Sequence, residues 1–344
     1  MSEGSRNERN GDVGAARDPG TGQAAGPAID YLRMSITDRC NLRCIYCMPA
    51  KGVKALEHDD ILTYEELRLF ARAAVGSGIT RVRITGGEPL VRKGAVDFVG
   101  MIASLTPEVK VSLTTNGVLL SRYAGDLKEA GLRRVNISLD TLDPRVYERL
   151  TRIGSLKDAM EGLRRAIDVG LAPVKLNVVV LKGVNDDPGA FIELIREQPV
   201  HVRFIEYMPY FDDSEERWFI PGDVIKERIE ATEKLTEVES PEGWGPASYY
   251  TFPGARGTIG FISPVSCHFC PSCNRLRISA EGRMRTCLFD GEGVDIRREL
   301  RAGADTGRLR ERIAEELERK HREGDHKPEG FGRLVGDHMS RIGG

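Results

Sequence analysis

Apolar residues along this chain follow two periods in turn. Apolar, β-rich runs fall at 31–37, 81–85, 109–114, 134–139, 174–181 and 202–207. Between most of them the apolar positions are spaced for one face of a helix. In 64–75 these positions are Leu67, Phe70, Ala71 and Ala74, with Thr63 and Glu66 forming a capping box ahead of them. The runs 119–130 and 156–169 keep the helical spacing and stop at Gly131 and Gly170, where a glycine can turn the chain out of a helix. Six strands alternating with helices predict a parallel sheet. The length and spacing give an α/β fold, a partial (βα)6 TIM-type barrel with its site at the C-terminal strand ends. The regularity stops near residue 212. Beyond it lie short strands at 248–252, 258–262 and 276–279 and a charged helix over 309–322. These read as a C-terminal extension packed across the open barrel.

Four segments are expected: a disordered leader 1–28, a barrel 29–211, an extension 212–330 and a tail 331–344. Composition changes this picture little. Hydrophobic residues at 40% and charged residues at 30% supply both a buried core and a charged surface. A net charge of −2 argues against a nucleic-acid partner, which needs a basic face, but leaves room for a local basic pocket. No apolar run nears the ~20 residues of a membrane span. The leader lacks an apolar h-region and carries Glu3, Glu8, Asp12 and Asp18, unlike a signal or transit peptide. A cytoplasmic protein with no membrane contact is expected.

The cysteines bring in the chemistry. All seven fall in two groups, which in a long chain of this kind favours metal or catalysis over disulfides. Cys40-x3-Cys44-x2-Cys47 lies just after the first strand. Three thiolates can hold three irons of a [4Fe–4S] cubane and leave the fourth iron open to a chelator. Zinc more often takes four ligands in paired C-x2-C units. With Tyr46 inside it, the motif resembles the signature of radical S-adenosylmethionine (SAM) enzymes. Thr85-Gly86-Gly87-Glu88-Pro89 follows the second strand, and its glycines let a backbone come close to a ligand. It is similar to the family segment that holds the amino group of SAM. Thr114-Thr115-Asn116-Gly117 and 136–140 (NISLD) end the third and fourth strands. The resemblance implies reductive cleavage of SAM to methionine and a 5′-deoxyadenosyl radical, with the protein supplying position and exclusion of water.

The second group reads Cys267-x2-Cys270-x2-Cys273-x13-Cys287. The spacing alone allows a closed four-cysteine cluster or a zinc knuckle that includes His268. The flanking residues 269–277 (FCPSCNRLR) and 285–289 (RTCLF) resemble the second-cluster region of the GTP 3′,8-cyclase family of molybdenum cofactor biosynthesis. The resemblance runs from about Tyr31 to Gly344. It implies a second [4Fe–4S] cluster on Cys270, Cys273 and Cys287, with the purine of GTP on its open iron, and leaves Cys267 outside the ligand set.

No G-x4-G-K-[ST] cradle is present, so a triphosphate must be neutralised otherwise, a task suited to the arginine fork. Arg33, Arg83, Lys175 and Arg203 lie in predicted strands, and Arg275 and Arg277 follow the second cysteine pair. A charge in an apolar strand is costly unless paired. A salt bridge to Glu206 or Asp140 would account for one such cation; six point to a shared lumen. The resemblance implies GTP contacts at Arg33, Arg83, Lys175, Arg275, Leu276 and Arg277, with Arg203 lining the same pocket. It implies SAM contacts at Tyr46, Gly87, Thr114, Ser138 and Met208, although a lone Met208 reads as packing. The last residues, Gly343 and Gly344, read as a fraying tail, yet the family's double glycine enters the active site.

The reaction so implied removes hydrogen from C3′ of GTP and joins C3′ to C8, largely an orientation problem. Catalytic roles are expected for Arg277, Gly343 and Gly344. Implied partners are GTP, a small electron donor such as a flavodoxin or ferredoxin, and the next enzyme of the pathway; a homodimer is allowed. The rivals are another radical SAM enzyme with an auxiliary cluster, such as a peptide maturase, a non-catalytic iron–sulfur carrier, and a zinc-stabilised binding module.

Overall fold

A computed structural model describes residues 28–208, 217–241, 245–267, 273–288 and 293–323. The leader up to 27, the tail 331–344 with Gly343 and Gly344, and Cys270 lie outside the described residues.

Six parallel strands follow one another as neighbours: β1 (Tyr31–Ser35), β2 (Arg81–Thr85), β3 (Lys110–Thr115), β4 (Arg134–Ser138), β5 (Val174–Val180) and β6 (Val200–Glu206). Helices α1 (Tyr64–Gly76), α2 (Ala95–Ala103), α3 (Leu120–Glu129), α4 (Pro144–Thr151), α5 (Leu156–Asp168) and α6 (Gly189–Glu197) fill the crossovers. Each of these strands falls within a few residues of its predicted run. The capping box at Thr63 and Glu66 forms as expected, with both hydrogen bonds made. The spacing did not single out α2, α4 or α6. These helices have 9, 8 and 9 residues, too short for a clear period.

Strand alternation explains the architecture. Leu32, Val82, Leu113, Ile137, Leu176 and Val202 point to the helices and join one core with Phe70, Phe98, Leu127, Leu163 and Ile195. Side chains of opposite parity point into the barrel, and they are mostly polar. Along the strand register Arg277, Arg33, Arg83, Ser112 and Arg134 form one continuous row.

The extension differs from the expectation. Its strands continue the sheet at both edges instead of only lying across the opening. They are β7 (Thr236–Val238), β8 (Ser248–Thr251), β9 (Thr258–Ile262), β10 (Arg275–Ile278), β11 (Arg283–Arg285) and β12 (Val294–Asp295). β9 adds parallel to β6, and β10 adds parallel to β1, so twelve strands form one sheet. The unpaired backbone groups at the edges of β1 and β6 are thereby satisfied. Helices α7 (Gly222–Glu230), α8 (Ile296–Arg301) and α9 (Thr306–Glu323) complete the extension, with α9 packed on α1. Arg297 reaches Asp60 at 2.8 Å and Arg301 reaches Glu66 at 3.2 Å, fastening α8 to the barrel. No described helix is long and apolar enough to cross a membrane.

Candidate active site

Cys40, Cys44 and Cys47 occupy the loop after β1, each partly buried. The loop turns tightly, with Cys47 N–H and Met48 N–H donating to the Cys44 carbonyl at 3.0 and 3.2 Å. It is docked on the end of α4: Arg43 and Ile45 N–H donate to the carbonyls of Thr151 and Leu150. Among the described residues no three His, Cys, Asp or Glu side chains form a group for a single metal ion. A cubane asks for something else, one thiolate on each of three irons. The donor chemistry fits that demand. Burial pushes the Cys40 thiol up to about 12, and the contact with Cys47, together with burial, raises Cys44. Thiols this hard to ionise become ligands when a cation supplies the missing positive charge, and an iron cluster supplies it.

The GGEP segment lies against this loop. The space beside its glycines is filled by the chain itself. A Cβ on Gly86 would stand 2.6 Å from the Thr37 carbonyl oxygen, and one on Gly87 would stand 2.4 Å from that of Arg39. Gly87 and Glu88 N–H donate to those same two oxygens at 2.8 Å. The glycines therefore bring the segment up to the backbone that leads into Cys40. Glu88 carries the link onward. Its buried carboxylate accepts from Leu90 N–H, the Thr115 hydroxyl and Asn116 N–H, and burial raises it to about 7. The Asn116 amide in turn donates to Asn41 at 2.7 Å and reaches Cys40 Sγ at 3.9 Å.

The remaining expected SAM positions ring the C-terminal strand ends. Thr114 lies near the end of β3, Ser138 ends β4, and Met208 follows β6 by two residues. The Tyr46 hydroxyl donates to Asp140 at 2.5 Å, tying the cysteine loop to the rim beyond β4. Asp140 also accepts from Val179 N–H, and burial raises it to about 6.

Inside the barrel the six expected cations converge. Arg277, Arg33 and Arg83 share the row described above. Lys175 and Arg203 follow on β5 and β6 and are buried. Arg203 donates to Asn136 at 3.1 Å and to Asn177. Arg83 Nε donates to Ser112 at 3.4 Å. Glu206 and Asp140, the two carboxylates weighed as internal partners, are engaged elsewhere. Glu206 accepts from the N–H groups of Gly222, Val265 and Ser266 and from the Ser266 hydroxyl. Burial lowers Arg33, with Arg277 the next cause, and takes Arg83 down to about 10. These are marks of cations crowded out of water.

Leu276 differs from its neighbours. Its side chain is fully buried in register with Leu32, on the helix side of the sheet, so only its backbone faces the lumen row. Arg134 and Tyr31 also face the lumen, beyond the residues expected from the sequence. Arg134 is buried at the head of β4 in register with Ser112, and Tyr31 is buried two residues before Arg33. Strand parity with Asn136 and Arg33 was the available signal.

Cys273 and Cys287 are half-buried, and Cys267 is exposed. Burial alone would raise Cys273, yet Lys320, Arg275 and Arg277 lower it overall. Lys320 also donates to the Cys273 carbonyl at 3.0 Å. A thiol among cations ionises readily, which favours its binding to iron. The first cysteine group follows the C-terminal end of β1, whereas Cys273 precedes the start of the parallel neighbour β10. The cationic row lies between them.

The family model for the radical SAM superfamily matches residues 34–195. A second, for molybdenum cofactor synthesis C, matches 200–326. The chain is 48% identical to a GTP 3′,8-cyclase of Thermodesulfovibrio yellowstonii over 85% of this chain and 92% of that one. It is 48% identical to that of Heliobacterium modesticaldum over 92% and 98%. Among solved structures, Streptococcus suis SuiB bound to S-adenosylmethionine superposes with a TM-score of 0.54 at 15% identity, over 77% of this chain and 61% of that one, a likeness of fold. With both halves matched and near-half identity along most of its length, the chain belongs to the GTP 3′,8-cyclase family of radical SAM proteins.

Proposed function

We propose that this chain converts GTP to (8S)-3′,8-cyclo-7,8-dihydroguanosine 5′-triphosphate in molybdenum cofactor biosynthesis. The observation that carries this reading is the row Arg277, Arg33, Arg83 and Arg134, set across the barrel between two cysteine groups. A sheet interior normally fills with apolar side chains. A row of guanidinia there is built for a highly charged anion.

In this reading Cys40, Cys44 and Cys47 would hold the first [4Fe–4S] cluster, and Cys270, Cys273 and Cys287 the second. When bound, SAM and the first cluster supply a 5′-deoxyadenosyl radical by reductive cleavage. Tyr46, Gly87, Thr114, Ser138 and Met208 would seat SAM at the C-terminal rim. Arg33, Arg83, Lys175, Arg203, Arg275 and Arg277 clamp the triphosphate and hold C3′ facing C8, which removes most of the entropy cost of ring closure. Arg277 and the terminal Gly343 and Gly344 are assigned to the closing step. A flavodoxin- or ferredoxin-type donor supplies electrons, the next enzyme of the pathway takes the product, and the work is placed in the cytoplasm, with a homodimer as the proposed assembly.

Anaerobic reconstitution with iron and sulfide, followed by dithionite, SAM and GTP, tests the reading. The expected result is a 3′,8-cyclised nucleotide formed together with 5′-deoxyadenosine. Formation of 5′-deoxyadenosine that ignores GTP, with no cyclised nucleotide, would overturn it.

A further inference from the structure

Tyr31 is 8% exposed, and its hydroxyl has no hydrogen-bond partner among the described residues. Buried hydroxyls left in that state are rare, because an unmade bond is costly. A phenylalanine would pack here without that cost, so packing alone does not account for the oxygen.

Its surroundings say what the oxygen meets. Tyr31 shares the lumen face of β1 with Arg33 and is in register with Arg275 on β10. The Arg83 guanidinium stands 5.3 Å from its ring centroid. Burial alone would raise the phenol, but Arg83, Arg33, Arg275 and Arg134 together lower it. No carboxylate appears among the main influences on Arg33 or on Arg83. The adjacent acid, Asp30, is occupied by Arg81 at 3.5 Å and Asn274 at 2.6 Å. The second lumen tyrosine, Tyr249, differs in having a partner, a hydrogen bond with Arg203. Tyr31 is thus an idle donor among four guanidinia.

We infer that the Tyr31 hydroxyl donates to the outer phosphates of the bound nucleotide and sets the preference for a triphosphate over a monophosphate. The inference rests on the GTP reading above. The terminal phosphate carries the largest charge of the substrate, so it settles where guanidinia are densest. A neutral donor there adds a directed bond without adding to the crowding of cations.

The test is the affinity of the reconstituted full chain for GTP, GDP, GMP and guanosine, in wild type and in Tyr31→Phe. Loss of one hydrogen bond to a charged group is expected to weaken GTP about tenfold or more. GMP and guanosine are expected to change by less than about twofold, since a shape-conserving swap leaves the rest of the site alone. The substitution removes an oxygen with no partner, so the ligand-free variant is expected to melt no lower than wild type. Equal losses for GTP and GMP, with or without a lower melting temperature, overturn the inference, as does an unchanged GTP affinity. A wild-type protein that shows no preference for GTP over GMP would instead overturn the substrate reading itself.

Discussion

Arg152 donates from Nη1 to the carbonyl oxygen of Arg43 at 2.9 Å, across the loop that carries the first cysteine group. The same nitrogen reaches the Met48 carbonyl at 3.0 Å, so one guanidinium clasps the loop on both sides of Cys44 and Cys47. Arg152 does so from a backbone φ of 63°, the one positive value at a non-glycine among the described residues. Strain of this kind survives where the surrounding structure demands it. Arg152→Ala would lose the clasp and keep the strain, whereas Arg152→Gly would lose both. The glycine variant is expected to melt higher than the alanine variant, by the equivalent of about 1 kcal/mol. Both should take up less iron at the first site, measured with Cys270, Cys273 and Cys287 replaced by alanine. Full iron uptake in both variants would show that the loop does not depend on the clasp.

Glu206 holds the backbone that leads into the second cysteine group. Its carboxylate gathers the N–H groups of Val265 and Ser266, just before Cys267, and that of Gly222 at the start of α7. Glu206→Gln would turn an NH2 toward donors and leave one of them without an acceptor. A loss of about 1–3 kcal/mol is expected, seen as a lower melting temperature. Iron bound by the second group should fall while iron bound by the first is kept. An equal fall at both sites would mark a general loss of fold and refute the local role.

Much of this was legible from local pattern. The sequence Leu32-Arg33-Met34 and its counterpart Val82-Arg83-Ile84 show a cation between two apolar residues, and strand parity then puts apolar and cationic side chains on opposite faces. The same parity rule would have found Arg134 and Tyr31. Each opens its strand, where a charge or an aromatic ring looks like an ordinary boundary residue. The Leu276 side chain follows the same rule in the other sense: Arg275 and Arg277 face the lumen, and its own parity points to the helices. Pairing of β9 with β6 and of β10 with β1 was beyond reach, since contacts so distant in sequence leave no local period. The GGEP glycines were visible, but only the fold says which backbone comes close to them.

His201 sits below the lumen cations, with Nδ1 2.9 Å from the Thr258 hydroxyl. Burial, then Lys175 and Arg203, hold it down to about 4. It therefore stays neutral in the native chain at pH values where the unfolded chain protonates it. The unfolded state binds the extra proton between about pH 6.5 and 4, so native stability falls as pH drops through that window. His201→Asn keeps a polar partner for Thr258 and removes the titration. Its stability is expected to fall less steeply than wild type between pH 6.5 and 4, with parallel curves above pH 7. Denaturant melts across the range check this; parallel curves throughout would mean that His201 protonates freely in the native state.

Gly260 sets the position of Arg203. It lies on β9 in register with Arg203 on one side and Tyr249 on the other. A Cβ at this position would come within 3.0 Å of Arg203 Cγ and 3.1 Å of the Tyr249 ring. Both neighbours are buried, and a shift of a few tenths of an ångström at Arg203 Cγ and at the Tyr249 ring is carried on to their polar ends. Replacing a strand glycine with alanine also recovers about 0.5–1 kcal/mol of backbone entropy, which offsets the crowding. Gly260→Ala is therefore expected to melt close to wild type and, in the proposed reading in which Arg203 faces the triphosphate, to bind GTP several-fold more weakly. Isothermal titration with GTP and a thermal melt on the same preparation separate the two effects. An unchanged affinity would place Arg203 outside the nucleotide's reach, and a large drop in melting temperature would make the glycine a packing requirement of the sheet.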